Sequence, residues 1–169
     1  WRRQGAVQEL KALALAGAYA LSPMAAVLFI LAALLEISYC KLARVTPHKF
    51  IITGAMVGVG TLAGWVAMTP EVRPLEMGLL FVWMAAWEIG GRNIVNDFAD
   101  VEEDARLGVK TVSLIYGPRA AARLTFWMLA IALMTALALQ PAAQLKPSFL
   151  VLAAAAGLYL LIGPGLRLL

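Results

Sequence analysis

The chain has 169 residues, of which 62% are hydrophobic and 14% are charged, with a formal net charge of +4. Soluble domains are roughly 45–50% apolar, so this composition excludes an ordinary soluble domain and predicts one membrane-embedded domain over residues 1–169. The basic residues are spread between apolar segments, which favours a role in membrane orientation over nucleic-acid binding, and the single cysteine, Cys40, excludes an internal disulfide.

Six apolar segments follow one another and predict an all-α, polytopic bundle of about six membrane spans. They cover residues 7–21, 23–43, 49–69, 75–96, 118–140 and 147–165. Most approach the roughly 20 residues that a helix needs to cross about 30 Å of hydrocarbon, and a spanning segment must satisfy its backbone hydrogen bonds internally. Proline lies at the junctions between segments, as at Pro23, Pro47 and Pro118, because it cannot continue the helix before it.

The distribution of lysine and arginine predicts which side each loop faces. If the N-terminus is cytoplasmic and the segments alternate, only Arg73 and Lys146 lie outside. The other twelve of the fourteen then lie inside: Arg2, Arg3, Lys11, Lys41, Arg44, Lys49, Arg92, Arg106, Lys110, Arg119, Arg123 and Arg167. This positive-inside bias predicts a multi-pass protein with both ends of the chain, and the acidic loop after the fourth segment, on the cytoplasmic side.

Several other residues within the segments have predicted roles. Gly54-x-x-x-Gly58 and Gly60-x-x-x-Gly64 have the spacing that lets helices approach closely, so we expect them to pack. We interpret Glu36 as part of an ion pair with a base near the cytoplasmic interface. His48, the single histidine, is expected to be a surface residue without a catalytic role.

Two pairs in the fourth segment leave alternatives open. Glu88 and Arg92 are four residues apart in the favourable acid-before-base order, and ionisable residues inside a span indicate function. They predict an ion pair that is either structural or in contact with a substrate. Trp83 and Trp87 are interpreted either as packing or interfacial aromatics or as the wall of a cavity for an apolar chain.

Half of the ten acidic residues fall between residues 97 and 104. If this stretch is helical, Asn93, Asp97, Asp100 and Asp104 have a 4, 3, 4 spacing that puts them on one helix face. Oxygen ligands of this kind suit Mg²⁺, which is typically held by one or two carboxylates and by substrate phosphates. A solvated acidic loop is the alternative.

Cations follow this acidic face directly. Arg106 and Lys110 come after Asp104, so carboxylates for Mg²⁺ lie beside bases for phosphate. This pairing is what phosphate-ester or pyrophosphate chemistry requires. The stretch therefore predicts a metal and phosphate site at the membrane edge.

The same stretch resembles the second aspartate-rich motif of the UbiA-type intramembrane prenyltransferases. Residues 96–113 read Asn-Asp-Phe-Ala-Asp-Val-Glu-Glu-Asp-Ala-Arg-Leu-Gly-Val-Lys-Thr-Val-Ser, and Tyr-Gly follows at 116–117. The likeness includes Asp100-x-x-x-Asp104, the Gly-Val-Lys-Thr of residues 108–111 and the closing Gly117. Tyr39, Lys41, Arg44 and Thr46, with a glycine-rich segment ending in Gly-Trp at 64–65, are similar to the family's earlier cytoplasmic loop.

The resemblance implies an all-helical fold, usually of nine membrane helices, with two aspartate-rich motifs facing each other across a cavity. The six segments then correspond best to the third to eighth helices. The first motif, typically Asn-Asp-x-x-Asp-x-x-x-Asp, would lie before Trp1, and no aspartate precedes Asp97. Since the chain also starts without methionine, we expect a fragment of the family's domain.

The resemblance further implies roles for individual residues. Mg²⁺ is the implied cofactor, with Asp97, Asp100 and Asp104 as its ligands. Asp100, Asp104 and Lys110 are implied to be catalytic. The implied substrate-binding residues are Tyr39, Lys41, Arg44, Asn93, Asn96, Asp97 and Arg106. For Lys41 and Arg44, a role only in orienting the protein in the membrane is an equal alternative. For Asn93 and Asn96, a role in helix packing is an equal alternative.

The implied reaction transfers an isoprenyl group from its pyrophosphate to an aromatic or other lipophilic acceptor. The acceptors within the family's range are quinone precursors, tetrapyrroles and glycerol phosphates. A quinone precursor as acceptor would imply a role in quinone biosynthesis. A membrane alcohol phosphotransferase is disfavoured, because its pattern opens with Asp-Gly and residues 90–93 here read Gly-Gly-Arg-Asn. The non-enzymatic alternative is a truncated helical bundle that binds lipid or a partner.

Overall fold

The computed structural model describes residues 2–168, and the side chains of residues 9–167. This part of the chain is helical and contains no strand, as predicted. Arg2 and Arg3, which the predicted topology puts inside, lie outside the described side chains. The helices are α1 (Arg2–Leu21), α2 (Pro23–Leu42), α3 (Phe50–Met68), α4 (Pro74–Trp87), α5 (Ile94–Ala99), α6 (Val101–Leu107), α7 (Val112–Tyr116), α8 (Pro118–Ala142), α9 (Pro147–Ala156) and α10 (Gly163–Leu168).

Three further helical pieces connect these elements. A 3-10 turn, Pro47–Lys49, leads into α3, and its preceding residue Thr46 caps it by accepting the His48 N–H at 3.2 Å. A π-helical segment, Glu88–Asn93, joins α4 to α5 without a break, and a second, Gly157–Ile162, joins α9 to α10. Proline stands in the first turn of α2, α4, α8 and α9, where its missing N–H leaves no hydrogen bond unmade.

Within the described residues, four stretches are long and apolar enough to cross a membrane: Pro23–Leu42, Pro47–Met68, Pro118–Ala142 and Pro147–Arg167. The other two predicted spans correspond to α1, whose first half is polar, and to the helical run that begins at Pro74 and contains Glu88 and Arg92. Large apolar side chains are exposed along the outer faces, as contact with lipid requires; examples are Ile30, Leu34, Ile37, Trp127, Leu152 and Tyr159. The chain is thus an integral membrane protein.

Helices that are consecutive in the membrane pack as neighbours. The helix α2 contacts α3, α3 contacts α4, α4 contacts α8, and α8 contacts α9 and α10. A buried apolar cluster, comprising Phe50, Ile89, Ile94, Val112 and Ala121, lies where the π segment and α5 meet α3, α7 and α8. This cluster fixes the helical run that carries the acidic residues.

Glycine allows α3 to approach α4 closely. A Cβ atom at Gly54 would lie 2.7 Å from Ile89 Cδ1, and one at Gly58 would lie 2.6 Å from the Phe81 ring. Gly60 and Gly64 are exposed, and a Cβ atom at either position would meet no atom of the described residues within 4 Å. The predicted packing role is therefore confirmed for the first glycine pair and wrong for the second, which is exposed in the described part of the chain.

The π segment approaches α8 closely as well. A Cβ atom at Gly90 would lie 2.7 Å from Met128 Cβ and 2.8 Å from the Thr125 carbonyl oxygen. Single π-helical turns inside α-helices are rare and often occur at functional sites. Here the wide turn presents Arg92 and Asn93 to the cavity described next.

Candidate active site

A polar cavity of about 310 Å³ lies between α2, the start of α3, and the run from the π segment to α6. The helix α2 and the start of α3 form one wall, and the π segment, α5 and α6 form the other. Its lining residues are Glu36, Tyr39, Lys49, Thr53, Met56, Arg92, Asn93, Asn96, Asp97, Asp100 and Asp104. Six of the predicted site residues are among them: Tyr39, Asn93, Asn96, Asp97, Asp100 and Asp104.

The acidic wall has the arrangement that the sequence spacing predicted, although it is not one continuous helix. The chain bends at Asp100, with φ −103° and ψ 12°, between α5 and α6. Backbone hydrogen bonds nevertheless pass across the bend, because the Asp100 N–H donates to the Asn96 carbonyl at 3.0 Å and the Asp104 N–H donates to the Asp100 carbonyl at 2.8 Å. The helical spacing is therefore kept, and Asp97, Asp100 and Asp104 line the same cavity.

Asp97 is the most buried of the three carboxylates, at 7% exposure. It lies just beyond the predicted span at residues 75–96. Burial raises the pKa of the Asp97 carboxyl to about 6, with smaller contributions from Asp104 and Asp100, while the positive charge of Lys49 opposes the rise. A bound cation would favour the ionised carboxylate, so this wall is suited to one.

The residues present fit Mg²⁺ as a partial ligand set. Within residues 9–167, no three acidic, histidine or cysteine side chains are grouped closely enough to hold a metal ion by themselves. The acidic wall offers oxygen ligands, and Asn93 Oδ1 is a buried oxygen without a hydrogen-bond partner. Mg²⁺ usually takes one or two carboxylates and fills its other positions with water and phosphate oxygens, which this donor set allows.

The predicted Glu88–Arg92 ion pair is confirmed. Arg92 Nε donates to Glu88 Oε2 at 2.7 Å, and Arg92 Nη2 donates to Glu88 Oε1 at 2.5 Å. The Glu88 side chain is 1% exposed, whereas that of Arg92 is 53% exposed and lines the cavity. The pair is structural at Glu88, and contact of Arg92 with a substrate stays a prediction.

The predicted cations lie elsewhere. Lys41, Arg44, Arg106 and Lys110 are exposed and are not among the cavity-lining residues. Lys110 Nζ donates to the Val45 carbonyl at 3.1 Å, and the Lys110 N–H donates to the Ala43 carbonyl at 2.8 Å. Lys110 therefore joins the segment after α6 to the loop after α2.

The rest of the Gly-Val-Lys-Thr segment also acts as a scaffold. Gly108 ends α6 in the left-handed region at φ +69°, which glycine adopts without strain. The buried Thr111 hydroxyl caps α7 and shares a hydrogen bond of 3.1 Å with Ser113 Oγ, which in turn donates to the Asp97 carbonyl at 3.5 Å. Through these contacts α7 supports the helix that carries Asp97.

Two residues outside the predicted site have unexpected surroundings. The ion pair predicted for Glu36 is wrong, since among the described side chains it has no basic partner within 4.0 Å; its Oε1 accepts the Cys40 thiol at 3.9 Å, and it lines the cavity. His48 is exposed, as predicted, and its Nε2 lies 3.1 Å from Tyr116 Oη. That contact links α7 to the 3-10 turn before α3.

Lys49 is a cavity-lining base that the sequence did not assign to the site. It is 4% exposed and lines the cavity, whereas the sequence counts it only as one of many basic residues near a span. One signal was present, because Lys49 precedes Thr53 by four residues at the polar end of an apolar segment. This spacing puts both residues on one helix face.

Two apolar cavities border Trp87. One, of about 210 Å³, is lined by Trp83, Trp87, Leu133, Ala136, Ala153, Ala156, Gly157, Leu160 and Leu161. The other, of about 520 Å³, has Trp87, Gly91, Val95, Thr125 and Leu129 among its lining residues. Both tryptophans thus line a cavity, and its occupation by an apolar chain stays a prediction.

Comparison with known proteins gives matches to prenyltransferases. The sequence model described as the UbiA prenyltransferase family matches residues 6–164. Polyprenyl transferase yanG of Aspergillus niger is 31% identical over 99 residues, which are 58% of this chain and 30% of yanG. Polyprenyl transferase macG of Penicillium terrestre is 28% identical over 80 residues, which are 47% of this chain and 25% of macG. The matched parts span less than a third of these relatives, and no solved structure matches the chain.

Proposed function

The chain belongs to the UbiA prenyltransferase family, and from that premise we propose that it takes part in the Mg²⁺-dependent transfer of an isoprenyl group from its pyrophosphate to an aromatic or other lipophilic acceptor. The observation that carries this proposal is the polar cavity, in which Asp97, Asp100 and Asp104 share one wall. Asn93, whose Oδ1 is buried and has no hydrogen-bond partner, is a fourth side chain with oxygen that lines the same cavity.

In the proposed reaction, the bond between the allylic carbon and the pyrophosphate oxygen breaks, and pyrophosphate leaves with the electron pair. The acceptor then attacks the allylic cation and loses a proton. Mg²⁺, when bound by Asp97, Asp100 and Asp104, would neutralise charge on the pyrophosphate. Arg92 lies in the same cavity and can stabilise the negative charge that develops on the leaving group.

Lys110 has a different proposed role from Asp100 and Asp104. Its hydrogen bonds to the Ala43 and Val45 carbonyls join the two loops beside the cavity. We therefore assign it to holding the acidic wall against the α2–α3 wall. Asp100 and Asp104 keep their proposed role in direct contact with the metal and the reacting group.

The apolar cavities support the choice of an isoprenyl substrate. Trp87, which borders both of them, is about one helical turn from Arg92, which borders the polar cavity. A prenyl pyrophosphate has the same division into a charged head and a long apolar chain. The head would occupy the polar cavity and the chain an apolar one.

A non-catalytic bundle that binds lipid or a partner is the second candidate. The observation that favours it is that residues 9–167 do not bring three metal-ligating side chains together. Such a bundle would have no need for Mg²⁺ in binding its ligand. This difference gives the test.

The test is Mg²⁺-dependent binding of a labelled isoprenyl pyrophosphate to the purified protein in detergent. The double variant Asp100→Ala/Asp104→Ala is compared with Glu102→Ala/Glu103→Ala, which removes the same charge from exposed positions outside the cavity. We expect binding to require Mg²⁺, to be lost in the aspartate variant and to persist in the glutamate variant. Equal, Mg²⁺-independent binding by all three proteins would support the non-catalytic bundle instead.

A further inference from the structure

Lys49 has unusual surroundings for a lysine. It is the last residue of the 3-10 turn before α3, and only 4% of its surface is exposed. Lysine is almost never fully buried unless it is paired. Yet its side chain lines the same cavity as the three aspartates.

Among the described residues no acidic side chain lies within 4.0 Å of this ammonium, although its charge acts at longer range on the Asp97 carboxyl. Among the side chains that the structure describes, the salt bridges are those of Arg73 with Glu71 and of Arg92 with Glu88. Lys49 Nζ lies 5.3 Å from the centroid of the Tyr39 ring. A cation–π contact and the more distant Asp97 carboxyl offset only part of the desolvation of a buried ammonium, so this ammonium keeps hydrogen-bonding capacity for a ligand.

The other bases near the cavity are already engaged or are placed outside it. Arg92 donates two hydrogen bonds to Glu88, and Lys110 donates to the Val45 carbonyl. Lys41, Arg44 and Arg106 do not line the cavity. Within the described part of the chain, Lys49 is therefore the cavity-lining base without a protein acceptor.

We propose that Lys49 binds the pyrophosphate group of the substrate, a role that the sequence assigned to other bases. This inference rests on the function proposed above. One wall of the cavity carries three carboxylates, which attract a cation, and the other carries the Lys49 ammonium, which attracts an anion, together with Glu36. A magnesium–pyrophosphate complex supplies both charges at once, and a compact ammonium with three rotatable donors suits phosphate oxygens.

The test measures binding of inorganic pyrophosphate in the presence of Mg²⁺ to the full chain in detergent. The variants are Lys49→Met, Lys49→Arg and, as the matched control, Lys11→Met at an exposed lysine outside the cavity. We expect Lys49→Met to weaken binding by about 10- to 100-fold, as the loss of a charged hydrogen bond does. Lys49→Arg should recover part of that loss, and Lys11→Met should stay within about twofold of wild type.

Thermal unfolding without ligand distinguishes this role from a structural one. If Lys49 serves the ligand, Lys49→Met should unfold at the same or a higher temperature than wild type, because it removes an unpaired buried charge. If Lys49 serves the fold, the variant should unfold at a lower temperature and Lys49→Arg should not restore binding. That second result would overturn the inference.

The remaining outcomes separate this inference from the proposed function. If Lys49→Met binds pyrophosphate as well as wild type while Asp100→Ala/Asp104→Ala does not bind it, the role of Lys49 is refuted and the proposed function stands. If wild type itself does not bind pyrophosphate with Mg²⁺, both are refuted.

Discussion

Arg92 holds the buried carboxylate of Glu88 by two hydrogen bonds, of 2.7 Å from Nε to Oε2 and 2.5 Å from Nη2 to Oε1. Both residues belong to the π segment, so this pair fixes the turn from which the acidic wall begins. Glu88 has almost no access to solvent, whereas the Arg92 side chain is about half exposed. Breaking the pair therefore costs free energy of folding mainly because it leaves the buried Glu88 carboxylate without a partner.

The first prediction is that Arg92→Met destabilises the protein more than the paired change does. Arg92→Met leaves the Glu88 carboxylate buried and unpaired, so we expect a loss of about 1–3 kcal/mol, less than for a fully buried pair because Arg92 is half exposed. Glu88→Gln/Arg92→Met should recover most of that loss. Thermal unfolding in detergent measures both, and Arg73→Met, which breaks an exposed pair, is the control with little expected change. Equal destabilisation by the single and double variants would contradict the prediction.

The second prediction concerns the pH dependence of stability at Asp97. Its pKa is raised to about 6 in the folded protein from a usual value of 3.8, so the folded state holds the proton more tightly than the unfolded state. Without metal, stability should therefore fall as pH rises from about 4 to about 6 and stay lower above that range. Asp97→Asn should raise stability at pH 7.5 by on the order of 1–3 kcal/mol.

Unfolding temperatures at pH 4.5 and 7.5, with EDTA or with Mg²⁺, measure this effect. We expect Asp97→Asn to gain stability in EDTA at pH 7.5, to gain little at pH 4.5, and to lose any stabilisation by Mg²⁺. Glu102→Gln, at an exposed acid on α6, should change little under all conditions. A lower unfolding temperature for Asp97→Asn at both pH values would contradict the expected destabilisation by a buried, desolvated carboxylate at this position.

The third prediction is that Gly90 is required for the contact between the π segment and α8. A Cβ atom there would be 2.7 Å from Met128 Cβ and 2.8 Å from the backbone oxygen of Thr125, so Gly90→Ala should cost about 1–3 kcal/mol through overpacking. Gly60→Ala, at a helical glycine with open space around it, should be neutral or stabilise by up to about 1 kcal/mol. Thermal unfolding of the two variants checks this, and a neutral Gly90→Ala would contradict the close approach.

The fourth prediction separates Lys110 from Lys49. Lys110→Met removes the hydrogen bond to the Val45 carbonyl, so it should lower stability by about 0.5–1.5 kcal/mol. Because its effect on the site is indirect, pyrophosphate affinity should fall less than in Lys49→Met. Arg119→Met, at an exposed base that does not line the cavity, is the control. A larger loss of affinity in Lys110→Met than in Lys49→Met would instead indicate that Lys110 contacts the pyrophosphate.

The positions of the helices and of the acidic face were predictable from the sequence. Helix starts at Pro23, Pro118 and Pro147 agree with the predicted segments, because proline and apolar length act locally. The shared face of Asp97 and Asp104 was predictable for the same reason, since hydrogen bonds of helical spacing continue through the bend at Asp100. Family membership followed from this one motif.

The tertiary structure decided which base lines the cavity. Lys110 stands close to the aspartates in sequence, yet its ammonium bonds the carbonyl of Val45, 65 residues away, while Lys49 reaches the cavity from another helix. Likewise, Gly54 packs and Gly60 does not, although both belong to the same helix and have the same motif spacing. Spacing along a helix is fixed by local backbone geometry, but the partner that a face meets depends on how distant helices pack. The sequence alone therefore determined the acidic wall, and only the packing of α2 and α3 against it determined the opposite one.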